Sequence, residues 1–574
     1  MFTRVAPGSF LRQPSSSCIK PLVPVWAYSI CFQIYPFLTR YIDHLDTLLR
    51  GTYLHYFTTT TSLQQEAYFA AMILRTVPST SFGLGLARYA KVAPRLSLQQ
   101  TSTAFRLVST HSSSAAPPTQ TANPPASREM HSSAKKETMA TMPQVPLSTN
   151  PQSEAVEPLS ILPLHMILRS LLVTSISSSR LLLPPSLAVM DVLANSTSAF
   201  LNPDKNILLK MAIKSTFYMQ FCAGETHEET RASIHGLKSI GFKGVILCYA
   251  KEVVLKEEQL KTLADCMGEG AAEAVANEIT PWKNGTLETV SLAGPGDFVA
   301  VKFTGAGRQA LYALSEGMDP PPELTAAINQ VCDLAVERGV RLLFDAEQAR
   351  LQPGIDKWTL NYMRKYNKSS DDAVIFGTYQ AYLKRAPVVL QSHLEIAAKE
   401  GFVAGVKLVR GAYLGSDPRH LIHDTKEDTD ECYNSLAKSV LRQEWSEPMP
   451  GKGTFPKTSM VLASHNADSV RFARTLMAQG EAKTRVAFAQ LQGMADEVSC
   501  ELLVPSKDAQ ASTTATKLSP EVFKYMVWGS TGDCMKYLLR RAYENQDAVK
   551  RTLDGRNAMW GELVRRLKSA IGMN

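Results

Sequence analysis

The chain has 574 residues, 45% of them hydrophobic and 20% charged, a globular composition on a length beyond one ordinary domain. Its formal charge of +8 belongs to the first 150 residues, which hold 13 Lys/Arg against 5 Asp/Glu; the remaining 424 hold 48 of each (61 less 13, 53 less 5). A body with no net charge carries no footprint for nucleic acid, and nine scattered cysteines without a CxxC argue against a zinc site or a dense disulfide framework and fit a reducing compartment.

From Ala67 to Ser127 there is no acidic residue, while Arg75, Arg88, Lys91, Arg95 and Arg106 recur among Ser, Thr and Leu. That is the make-up of a mitochondrial transit peptide. Such peptides start at the initiator methionine, and here the pattern starts just after Met72. We therefore expect translation to begin at Met72, with 1–71 an upstream extension, 72–130 transit peptide and disordered region, and 131–158 a linker rich in Ser, Thr, Pro and Ala. Residues 21–39 are uncharged and nearly long enough to span a bilayer, but three prolines read against a span.

Residues 159–235 read as a helical arm, its two apolar helical stretches interrupted at Pro184–Pro185. Thereafter short β-branched or apolar runs alternate with longer helical patterns. The runs are 243–249, 298–305, 340–347, 373–380, 402–411, 458–466, 485–493 and 524–530. Amphipathic segments between them, such as PELTAAINQVCDLAVERG, end at glycine. Alternation of this kind implies parallel pairing, and eight units predict an α/β fold, a (βα)8 TIM-type barrel over 236–545. Residues 546–574 are expected to form an amphipathic C-terminal helix packed over the barrel mouth, with an interfacial role as the alternative.

In such a barrel the chemistry belongs at the C-terminal ends of the strands. There the sequence delivers Lys302, Asp345, Glu347, Gln380, Lys407, Arg410, Gly411, Ser464, His465, Asn466, Gln490, Gln492 and Tyr525. The helix after strand 8 adds Tyr537, Arg540, Arg541 and Glu544. Guanidinium forks match a carboxylate bidentately, so an arginine pair beside Lys302 predicts an anion site, and Tyr537 one turn away supplies an apolar wall. No GxGxxG opens a helix after a strand, and there is no Walker loop, HExxH or GxSxG; any redox cofactor is held by the barrel itself.

FCAGE (221–225), DAEQ (345–348), TYQAYLKRA (378–386), KLVRGAYL (407–414), ASHN (463–466), LQGM (491–494) and YLLRRAYEN (537–545) resemble, in order and spacing, the motifs of proline dehydrogenase. The resemblance covers roughly 215–545 and implies a barrel with non-covalent FAD. It implies that Arg540, Arg541 and Lys302 hold the proline carboxylate, that Tyr525, Tyr537 and Leu491 wall the pyrrolidine ring, and that Asp345 orders the charges. Gln380, Lys407, Arg410, Gly411, Ala412, Tyr413, Ser464, His465, Asn466 and Glu544 would hold the flavin and its ribityl-adenylate tail, with Thr425 and Lys426 as further candidates.

The resemblance also implies oxidation of L-proline to Δ1-pyrroline-5-carboxylate and electron transfer to ubiquinone. The protein would touch the inner mitochondrial membrane peripherally from the matrix side. Bacterial members tend to carry Arg at the position of Lys407 and Lys at that of Arg410, which keeps both charges. Hydroxyproline-oxidising relatives tend to have a small residue where this chain has Tyr525, whose bulk favours proline. The alternatives are a hydroxyproline dehydrogenase, a flavin-free lyase using Lys302 or Lys407 as a Schiff base, and a barrel kept only as a scaffold.

Overall fold

The computed structural model describes residues 157–574, apart from 252–265, 269, 369–371, 505–519, 545–548 and 573–574. The readings of 1–156, namely the upstream extension, the transit peptide, most of the linker and the 21–39 stretch, lie outside the described residues, as does the side chain of Glu544.

The chain enters through two arm helices, α1 (Leu164–Ser177) and α2 (Leu183–Asn195). Pro184 and Pro185 sit in the first turn of α2, where a missing N–H costs nothing, so the prolines begin this helix. Among the described residues nine parallel strands follow: β1 Cys222–Gly224, β2 Gly244–Tyr249, β3 Phe298–Val301, β4 Arg341–Phe344, β5 Ile375–Gln380, β6 Ala404–Val409, β7 Thr458–Ala463, β8 Arg485–Leu491 and β9 Glu521–Trp528. β2 to β9 pair in chain order and β9 closes onto both β8 and β2, which makes the predicted eight-stranded barrel. The short β1 pairs with the end of β9, Cys222 opposite Val527.

Period-2 alternation divides each strand between two environments. On β2, Val245 and Leu247 face the surrounding helices, while Ile246 and Cys248 belong to the barrel interior. The floor of that interior is aromatic: Phe298 meets Phe376 and Phe523 edge-on at centroid distances of 5.5 and 5.0 Å. Above it the inward residues shrink to Ala300, Ala463 and Ala489, which leaves space under the C-terminal mouth. The last helix, Val549–Ala570, packs against α1, and among the described residues no helix is long and apolar enough to cross a membrane.

Candidate active site

The alternation that builds the floor also lifts polar side chains into the mouth. Two residues above Phe298 and Ala300 comes Lys302; above Leu343 comes Asp345; above Phe376 come Thr378 and Gln380; above Phe523 comes Tyr525. A cavity of about 630 Å³ fills this end. Of the residues with described side chains that the sequence assigned to substrate or flavin, all but Arg540 line it, while the strand-end Glu347 and Gln492 do not.

Asp345 is its electrostatic centre. The carboxylate accepts from Lys407 Nζ at 2.5 Å on one oxygen, and on the other meets Lys302 Nζ at 3.1 Å and the Tyr525 hydroxyl at 2.9 Å. All three charged groups are no more than 7% exposed. Burial alone would raise the Asp345 pKa, but the two ammoniums outweigh it and hold the group well below the usual carboxylate range. The Tyr525 phenol is pushed upward by its burial and by the adjacent carboxylate, so it stays a neutral donor. Lys407 Nζ also lies 5.2 Å from the centre of the Tyr525 ring.

The wall as a whole is cationic: Lys302, Lys407, Arg410, Arg419, Lys426 and Arg541 against Asp345 and Asp424. Arg410 is clamped, donating to Ser469 Oγ at 2.8 Å, to Ser464 Oγ at 3.3 Å and to Asp430, which also accepts from Lys426 at 2.5 Å. Burial works against the Asp430 carboxylate, but its two cationic partners lower its pKa. Gln380 is fixed at both ends of its amide, donating to the Glu347 carbonyl at 3.2 Å and accepting from the Ala412 N–H at 3.1 Å. His465 Nε2 accepts the Leu491 N–H at 3.0 Å, which fixes the ring beside the apolar wall.

Asn466 caps the helix Ala467–Ala478 through the Ser469 N–H, and Thr425 caps the helix Lys426–Arg442 in a capping box. Gly411 has φ +150°, and a Cβ there would lie 2.5 Å from the Tyr382 ring, so only glycine fits.

The neighbouring arginines part company. Arg541 lines the cavity with its guanidinium 5.3 Å from the Tyr537 ring centre. Arg540 leans on the Tyr413 ring at 5.4 Å and is outside the cavity wall. Consecutive helical residues do not share a face, which explains the divergence.

Three residues that the sequence did not mark support this arrangement: Asp430, Asp417 and Tyr382. Asp417 accepts the Ala349 N–H at 2.8 Å and the Tyr382 hydroxyl at 2.6 Å, tying the β4, β5 and β6 loops together. Asp430 stands four residues after Lys426, a helical pairing signal that was present in the sequence.

A parallel barrel with a predominantly cationic cavity at its C-terminal mouth is the arrangement of a barrel enzyme, and its charge suits an anionic group. A family profile described as "Proline dehydrogenase" matches residues 230–553, more than half of the chain. The chain belongs to the proline dehydrogenase family, oxidoreductases of proline catabolism.

It is 29% identical over 458 residues to the "Probable proline dehydrogenase, mitochondrial" of Schizosaccharomyces pombe, which spans 70% of this chain and 88% of that protein. It is 37% identical over 246 residues to "Proline dehydrogenase 1, mitochondrial" of Homo sapiens, 41% of this chain and 37% of the human one. Among solved structures it is similar to proline utilization A from Bdellovibrio bacteriovorus inactivated by N-propargylglycine. That match has a TM-score of 0.48 and 18% identity, covering 69% of this chain and 40% of that one.

Proposed function

We propose that the chain oxidises L-proline to Δ1-pyrroline-5-carboxylate with a non-covalent FAD in the larger cavity, and that the electrons pass to ubiquinone. The observation that carries this reading is Asp345 bridging Lys302 and Lys407 beneath Arg541, with Tyr525, Tyr537 and Leu491 forming an apolar wall beside them. Cations for a carboxylate next to an apolar wall match proline, whose carboxylate projects from a ring that carries three methylenes.

The same cavity fits FAD. Arg410, Arg419 and Lys426 offer charges for a pyrophosphate, and Thr378 Oγ1 and His423 Nε2 line it as buried polar atoms without a hydrogen-bond partner. Lys407, Gln380 and His465 would hold the ring system, and Ser464, Asn466 and the Gly411–Tyr413 loop its tail. Bound there, FAD supplies the acceptor for a hydride from C5 of proline.

The protein's part is placement. Arg541 and Lys302 fix the carboxylate, Tyr525 and Tyr537 press the ring into register, and the closed floor excludes water. Asp345 keeps the two lysines pointed inward and is itself kept ionised by them.

The Schiff-base alternative is less favoured because the Nζ atoms of both lysines are held in ion pairs with Asp345. We place the enzyme in the mitochondrion, on the matrix side of the inner membrane, on the strength of the acid-free stretch and of relatives named mitochondrial. The test is optical. Purified protein should be yellow and bleach anaerobically on addition of L-proline; a colourless protein trapped by borohydride in the presence of substrate would replace this reading with the lyase.

A further inference from the structure

A second cavity, of about 160 Å³, lies against the first and shares His465, Leu491, Tyr525, Tyr537 and Arg541 with it. Its character is different. Where the larger cavity is ringed by cations, this one is walled mainly by apolar side chains, Val173 and Ile176 of α1, Leu187 and Met190 of α2, Leu538 after β9 and Met559 of the last helix, with Asp496, Glu497 and Arg541 as its charged lining. A dry apolar cavity of roughly 150 Å³ is large enough to take up benzene, so a single planar ring fits here.

Resting on the reading of the larger cavity as the site of proline oxidation, we propose that the smaller cavity seats the ring of a quinone-class electron acceptor. The quinone takes up two electrons and two protons at its carbonyl oxygens and leaves as the hydroquinone, while the cofactor returns to its oxidised form. The shared wall of Leu491, Tyr525 and Tyr537 sets the two ligands side by side without one having to leave first. Leu164, Leu168 and Leu172 form an exposed stripe, one helical turn apart, on the outer side of α1, so the helix that walls the cavity also offers an apolar exterior to an acceptor arriving from lipid.

The test uses the full chain and a ubiquinone analogue with a decyl tail, whose binding is read by titration calorimetry without turnover. Ser186→Trp, from a half-buried position on α2, fills the cavity. Thr174→Leu on α1 narrows it from the other wall with a smaller added volume than tryptophan, and serves if the larger residue disturbs folding. Both should weaken analogue binding tenfold or more and raise its KM in turnover, while anaerobic bleaching by proline and ferricyanide reduction keep their rates. Unchanged analogue binding in the variants overturns the proposal. Wild-type protein that binds the analogue but is not bleached by proline counts against the proline reading alone.

Discussion

The two ends of the barrel are both charged and both partly buried, yet their charges are arranged in opposite ways. At the N-terminal end Asp297 accepts the Val245 N–H at 3.1 Å, the Gly294 N–H at 2.9 Å and Lys238 at 2.8 Å, and Arg485 is divided between Asp372 at 2.6 Å and Glu521 at 2.9 Å. Arg341 plugs the floor, stacked 3.7 Å from the Phe298 ring centre, its pKa pushed down to about 10 by burial and by Arg485. None of these groups lines either cavity. At the C-terminal end two lysines share one aspartate, and further cations stand around an open volume. A perturbed pKa occurs at both ends, so perturbation alone does not find a site; an excess of one sign facing a cavity does.

The sharpest way to break the contrast is Asp345→Ala. It strands two buried ammoniums, which costs about 3–5 kcal/mol of stability. It should also lower kcat/KM for proline by about a thousandfold or more, since both lysines lose their anchor. Denaturation midpoints and steady-state kinetics read the two effects separately. The pH dependence carries a sign. The folded-state pKa of Asp345 is depressed, so its stabilisation is complete above the unfolded value of about 4 and is lost as pH falls below it. Asp345→Asn should accordingly flatten the acid limb of the stability curve; a limb as steep as that of the wild type would remove Asp345 from the account.

Arg541→Met comes next. With Arg541 holding the substrate carboxylate as proposed, losing that charge-assisted contact should cost about 2–3 kcal/mol, a rise in the KM for proline of roughly a hundredfold, with a smaller change in kcat. Arg540→Met should have the weaker effect on KM, because Arg540 stacks on the wall residue Tyr413 and does not itself line the cavity. Equal effects would show that the pair acts as one clamp once substrate binds. At the opposite end Asp297→Ala should cost about 2–3 kcal/mol by leaving buried N–H groups unsatisfied, yet leave the kinetics of proline oxidation as they were. A kinetic defect there would abolish the distinction between the two ends.

Much of this was legible in the sequence, and the reasons differ by element. The eight barrel strands could be read because each is a short apolar run followed by a long helix, several of which stop at a glycine with positive φ, such as Gly339 and Gly401. Their ends were read too late where polar residues such as Lys302 and Asp345 continue past the last ladder pair into the loops. β1 escaped because three residues carry no periodicity. Lys302, Asp345 and Lys407 were found by position, one at each of three strand ends, but not their shared contact, which joins residues 62 apart in sequence. The clamp of Asp430 on Arg410 and the smaller cavity arise from packing between distant segments, and nothing local announces them.

Tyr525 tests the comparison most gently, because it belongs to both kinds of surface. Its hydroxyl serves the charged network at Asp345, while its ring walls both cavities. Tyr525→Ser removes the ring and leaves Asp345 with its two lysines, so the network should survive and the fold with it. On the proposed reading the space released lies above the substrate ring, where a hydroxyl on that ring would otherwise collide. The ratio of kcat/KM for hydroxyproline to that for proline should then rise about tenfold, in line with the discrimination a shaped apolar pocket gives. An unchanged ratio with a lowered overall rate would mean that the phenol's bond to Asp345, and not its bulk, is what the site needs.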